Sequence, residues 1–134
     1  MADLIHLHGN GNTITLRITG QAGPGDLLDA QIHVETPFVT ARVSTALGKE
    51  ALDSWRDALD LLDAGHDAVW DTGLDGVAVS VEHAEDDRLA VTISDEQSLV
   101  DLTVRVLPEQ DWFDGAYALL DQVWQKWFGS AEQP

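Results

Sequence analysis

His6 and His8 lie two residues apart in a run patterned as a strand, which places both imidazoles on one face. Two histidines so placed can share a zinc or copper ion, but a structural or catalytic centre needs further ligands. His33, His66 and His83 are scattered, and the chain has no cysteine. The pair therefore reads as exposed or hydrogen-bonded strand histidines, with no bound metal or cofactor expected. Asp71-Thr72-Gly73-Leu74-Asp75-Gly76 interleaves oxygen-bearing side chains with glycines, as calcium loops do. The spacing to Glu82 does not supply the distal bidentate glutamate of an EF-hand, so a solvated turn is expected there.

Asp53, Asp57, Asp60 and Asp63 recur at helical spacing and could offer paired carboxylates. Acid–base catalysis would need them in a cleft with perturbed acidity. They alternate with an apolar stripe, so they should face water, with Arg56 pairing Asp60 one turn on. No Gly-x-Ser-x-Gly elbow is present. Gly9-Asn10-Gly11-Asn12 lacks the lysine and following helix of a phosphate loop. Among the late aromatic residues, Trp112 and Phe128 are the two expected to be left over from the core, as anchors for an interface.

Charge narrows the partners. Seven Lys and Arg face 24 Asp and Glu, for a formal net charge of −17. Such a field repels nucleic acid and anionic membranes and favours basic partners or cations. Aspartate outnumbers glutamate 17 to 7, a bias that a GC-rich genome or high-salt adaptation would also produce. The first eight residues have neither the basic start nor the apolar run of a signal peptide, and no apolar stretch approaches the ~20 residues of a membrane span. With no cysteine, these features lead us to expect a cytoplasmic protein.

The elements that must position these residues follow from periodicity. At 134 residues one domain is expected, spanning 1–134. Leu4–Leu7 and Thr13–Ile18 form a hairpin through the Asn-Gly turn. Leu28–Glu35 and Phe38–Leu47 alternate as half-buried strands, following a Gly20–Gly25 loop. Leu52, Trp55, Leu59 and Leu62 make the apolar stripe of a helix over about Lys49–Ala64, ended by Gly65. A short strand at Asp67–Trp70 precedes three more, carrying Val77, Val79 and Val81; Leu89, Val91 and Ile93; and Val100, Leu102, Val104 and Val106. A last helix covers about Glu109–Phe128. We find no sequence repeat. The turns are too short for parallel crossovers, so the expectation is α+β: a twisted antiparallel sheet of six to eight strands with two helices packed on one face.

Leu-Asp-Ala-Gln-Ile-His-Val-Glu at 28–35, Phe-Val-x-x-x-Val from Phe38, Leu-Asp-x-Trp-x-x-Ala-Leu-Asp-x-Leu-x-Ala-Gly at 52–65, Trp70, Trp112 and Val-Trp-x-x-Trp at 123–127 together resemble a family of small actinobacterial proteins of unknown function. The resemblance covers nearly the whole chain and rests on core and turn positions. It implies a fold and no catalytic residues. Acidic proteins of this size are often immunity proteins that block a toxin, an analogy of size and charge.

These readings favour a non-enzymatic binding protein, immunity- or antitoxin-like, that covers a basic protein partner. Asp53, Asp57 and Asp60 would form its acidic surface, and Trp112 and Phe128 its apolar anchors. A homodimer or assembly component is the first alternative, and a metal-dependent enzyme whose site forms only in three dimensions is the second.

Overall fold

Short turns pair consecutive strands, and a long helix interrupts the ladder once. In the computed structural model, which describes residues 2–21, 27–72 and 76–128, β1 (Ala2–Gly9), β2 (Asn12–Gln21), β3 (Leu28–Glu35) and β4 (Thr40–Leu47) form one antiparallel meander. After α1 (Lys49–Asp63), a second meander follows: β5 (Ala68–Asp71), β6 (Val77–His83), β7 (Leu89–Asp95) and β8 (Val100–Val106). The chain then enters α2 (Trp112–Trp127). Most of the Gly20–Gly25 loop, and residues 73–75 of the expected Asp71–Gly76 turn, lie outside the described residues.

The fold is α+β with antiparallel sheets and two packed helices, as the periodicity predicts. The eight strands, however, divide into two sheets of four where a single sheet was expected. The reason is α1: fifteen helical residues carry the chain about 22 Å, so β5 starts a new sheet and does not add to β4. The architecture is consequently a four-strand meander plus a helix, made twice, although no repeat shows in the residues. Each helix packs on the first strand of the other half, α1 on β5 and α2 on β1.

The β1–β2 turn is a two-residue primed turn, with Asn10 at φ 43° and Gly11 at φ 86°, the combination that Asn-Gly adopts most readily. A bulge between Asp3 and Ile5 breaks the alternation of β1, which lets Leu4 and Ile5 both be buried. Downstream, Leu7, Ile14, Leu16, Ile18, Ala30, Ile32 and Val34 keep period two and face the core. The second sheet does the same with Val77, Val79, Val81, Leu89, Val91 and Ile93, and one hydrophobic cluster joins both sheets and both helices.

Two buried polar ties fasten the halves. Trp55 and Trp70 lie ring to ring at 4.9 Å, and Trp70 Nε1 donates to the Ala51 carbonyl at 2.8 Å, fixing β5 to the first turns of α1. Thr72 Oγ1 donates to the Val77 carbonyl at 2.8 Å, so the buried Thr45 hydroxyl of β4 is the donor in its 2.8 Å bond to Thr72. Both hydroxyls are thereby satisfied where an orphan would cost ~1–3 kcal/mol. α1 ends with Gly65 at φ 90°, a left-handed stop that only glycine takes freely. α2 begins three residues later than the periodicity suggested, leaving Glu109 in the preceding turn.

Candidate functional site

α1 buries Ala51, Leu52, Trp55, Ala58, Leu59 and Leu62, and its other face carries the carboxylates. Asp53, Asp57, Asp60 and Asp63 are all exposed, so the helix does present an acidic row to solvent. Asp60 is committed within the fold: Tyr117 of α2 donates its hydroxyl to Asp60 Oδ1 at 2.6 Å. Arg56 does not pair with Asp60 one turn on, as helical spacing had suggested. Its guanidinium reaches across to Asp121 of α2 at 2.8 Å. Packing of the two helices brings Asp121 and Tyr117 within reach, and the inter-helix partners displace the local pair.

Tyr117 is the chain's single tyrosine, and its pKa is pushed up to about 12 from an ordinary value of 10. Loss of hydration contributes most, then the hydrogen bond to Asp60, then the charges of Asp60 and Asp63, against a smaller opposing effect of Arg56. The folded state therefore holds the phenol neutral more tightly than the unfolded chain does. The stability this contributes is complete below pH 10 and is lost as pH rises from 10 through about 12. A phenolate absorbance titration should show a midpoint well above 10, and Tyr117→Phe should remove that alkaline loss of stability. A midpoint at the ordinary value would contradict the Asp60 contact.

Of the two expected apolar anchors, Phe128 is a correction. It is 3% exposed, with its ring 5.6 Å from that of Trp124 and beneath the Lys49 ammonium at 5.3 Å. It is a core side chain, unavailable to a partner unless α2 detaches. Trp112 is half-buried, its indole N–H donating to the His6 carbonyl at 3.1 Å and its ring 4.9 Å from that of Phe113. The two large apolar side chains that stand furthest into solvent among the described residues are Phe38, 93% exposed at the β3–β4 turn, and Leu99, 89% exposed at the β7–β8 turn. Leu99 also holds a left-handed φ of 57°, an uncommon conformation for a bulky residue. Phe38 was expected to open the strand Phe38–Leu47, but β4 begins only at Thr40 and Phe38 falls in the turn after Pro37; Leu99 lies in a turn, where no periodicity marks it. β4 and β8, each an edge of its sheet, flank a cavity of about 150 Å³ lined by Ala41, Val43, Val100 and Leu102.

His6 and His8 are both exposed on β1, and their ring centres are 5.1 Å apart. His8 Nε2 lies 3.4 Å from Glu109 Oε1. His6 Nδ1 lies 3.5 Å from Thr15 Oγ1. His6, His8 and Glu109, together with Asp111 and Trp112, line a groove of about 380 Å³ between β1 and the start of α2. The other histidines stay apart: His33 contacts Gln31, and His83 contacts the Leu62 carbonyl. Among the described residues, no three His, Cys, Asp or Glu side chains converge to hold a metal ion. No helix among them is long and apolar enough to cross a membrane.

Two antiparallel meanders, each followed by a helix and sharing one core, make this a small α+β protein with an acidic helical face and a histidine groove. The chain belongs to a family of unknown function, DUF5959, whose model matches residues 2–128. No curated protein and no solved structure matches it.

Proposed function

We propose that this is a non-enzymatic acidic binding protein that covers a basic protein partner in an actinobacterial cytoplasm, in the manner of an immunity or antitoxin protein. The observation that supports this reading is the uncompensated acidic face of α1. Asp53 and Asp57 stand exposed one turn apart, in a chain with 24 carboxylates against seven basic side chains. Three of those seven, Arg17, Arg56 and Arg88, are already paired with Asp3, Asp121 and Asp86. The resulting field would steer a basic partner and raise its association rate, with Phe38 and Leu99 available as apolar contacts.

The test begins with capture of partners from lysate of the source organism at low and moderate salt. A stoichiometric basic protein that is released as salt rises is the expected result. With that partner in hand, Asp53→Asn/Asp57→Asn should slow association several-fold at low salt and barely at high salt, where exposed charges are screened. Stability should be almost unchanged, and Asp60 is kept because Tyr117 depends on it. An unaltered association rate would remove the docking surface from α1. Capture of nothing but further copies of this chain would replace the reading with self-assembly, for which sheet edges are the usual route.

A further inference from the structure

From the groove between β1 and α2, we infer that His6 and His8 form a chelating site for a divalent first-row transition ion, copper or zinc, with Glu109 orienting His8. Two imidazoles bound to one tetrahedral ion through nitrogens at about 2.0–2.1 Å place their ring centres roughly 5 Å apart. His6 and His8 already stand at 5.1 Å, on one face of a strand held in register by β2. The ring separation already suits an ion, and turning each free nitrogen inward is a side-chain rotation at an exposed position. The strand is a rigid support, which lowers the ordering cost of chelation.

Glu109 supplies the second observation. Metal-binding histidines characteristically give their other ring N–H to a carboxylate, which fixes the tautomer and raises the basicity of the ligating nitrogen. His8 Nε2 stands 3.4 Å from Glu109 Oε1, near enough for the ring to give its N–H to that carboxylate when an ion is bound at Nδ1. On His6, Thr15 sits at Nδ1, so Nε2 is the nitrogen left for coordination. This carboxylate comes from the turn before α2, so the arrangement exists only because α2 docks on β1.

No third protein ligand joins the pair among the described residues. Water fills the remaining positions, and the site is open and exchangeable. Imidazole suits copper, zinc and nickel and does not suit magnesium or calcium, with copper bound most tightly. The protein's negative field raises the local concentration of any cation, which selects for charge but not for identity. Selectivity comes from the histidines.

Isothermal titration of the full chain with copper(II) and with zinc(II), each in a large excess of magnesium, tests the assignment. Magnesium occupies the surface carboxylates and leaves the imidazoles. One equivalent of copper should bind, and zinc more weakly at the same site. His6→Gln and His8→Gln should each abolish that phase, and Glu109→Ala should weaken it roughly tenfold or more. Asp53→Asn/Asp57→Asn, at positions that do not line the groove, should leave it intact. All three groove side chains are exposed, so these variants should keep the wild-type circular dichroism. Trp112 lines the same groove, so copper should quench part of the tryptophan emission in the wild type and less in His8→Gln. Binding that magnesium eliminates, or that survives both histidine substitutions, would overturn the proposal.

Discussion

Trp70→Ala should cost about 3–5 kcal/mol of unfolding stability, the usual toll for deleting a buried tryptophan. Trp70 is 1% exposed, and so is Trp55, whose ring lies against it at 4.9 Å. The more discriminating comparison replaces each by phenylalanine. Both changes remove the same volume from one cluster, but the two indole N–H groups differ. Trp70 Nε1 donates to the Ala51 carbonyl at 2.8 Å, whereas Trp55 Nε1 is buried with no partner among the described residues. Trp70→Phe therefore loses a hydrogen bond worth ~0.5–1.5 kcal/mol, and Trp55→Phe relieves an orphan donor costing ~1–3 kcal/mol. Urea midpoints should place Trp70→Phe below Trp55→Phe by more than about 1 kcal/mol at unchanged m. Equal losses would mean that packing alone, and not the indole bond, fixes β5 to α1.

That bond matters beyond its own energy because of how the halves interlock. α1 leaves the first sheet and lies on β5, the opening strand of the second; α2 leaves the second sheet and lies on β1, the opening strand of the first. An indole N–H fastens each junction, from Trp70 to Ala51 in one and from Trp112 to His6 in the other. Neither meander can bury its apolar face without the other half. Unfolding is therefore expected to be cooperative, and damage at either junction should be felt globally.

Local patterning carried the elements well and the contacts poorly. Leu52, Trp55, Leu59 and Leu62 fall every three to four residues, so α1 and its Gly65 stop were readable, as was the Asn10-Gly11 turn. The division into two sheets was not, because alternation reveals which face of a strand is buried and not which strand lies beside it. Phe128 escaped for a related reason. It sits at the C-terminal cap of α2, outside the helical stripe, and is buried by Trp124 and by Lys49, the first residue of α1. The acidic row was legible as a row, but the fate of Asp60 depended on Tyr117, and that of Arg56 on Asp121, both on another helix. Likewise the spacing of His6 and His8 was visible at once, whereas Glu109 joins His8 only through the docking of α2.

Gly9→Ala should be among the most damaging single-methyl additions to this chain. Gly9 ends β1 where the first hairpin meets the end of β8, and a Cβ there would fall 1.9 Å from the Leu107 carbonyl oxygen. The obstacle is backbone, so no rotamer change can relieve it, and the strands must part. Overpacking of this kind costs ~1–3 kcal/mol, and a backbone clash belongs at the upper end. The loss should propagate through the two asparagine clamps at the same junction. Asn10 Oδ1 accepts from the Leu107 amide at 2.8 Å, and Asn12 Nδ2 donates to the Arg105 carbonyl at 2.8 Å. These side chains occupy edge groups of β8 that would otherwise face solvent or another strand. Once Gly9→Ala has pushed the junction apart, Asn10→Ala should cost much less than its usual share, so the pair should be strongly non-additive. Gly20→Ala is the internal control, since nothing lies within 4 Å of its added carbon and the stability should hold or rise slightly. A Gly9→Ala protein as stable as Gly20→Ala, or costs that simply add with Asn10→Ala, would show that β1 and β8 are not in contact at Leu107.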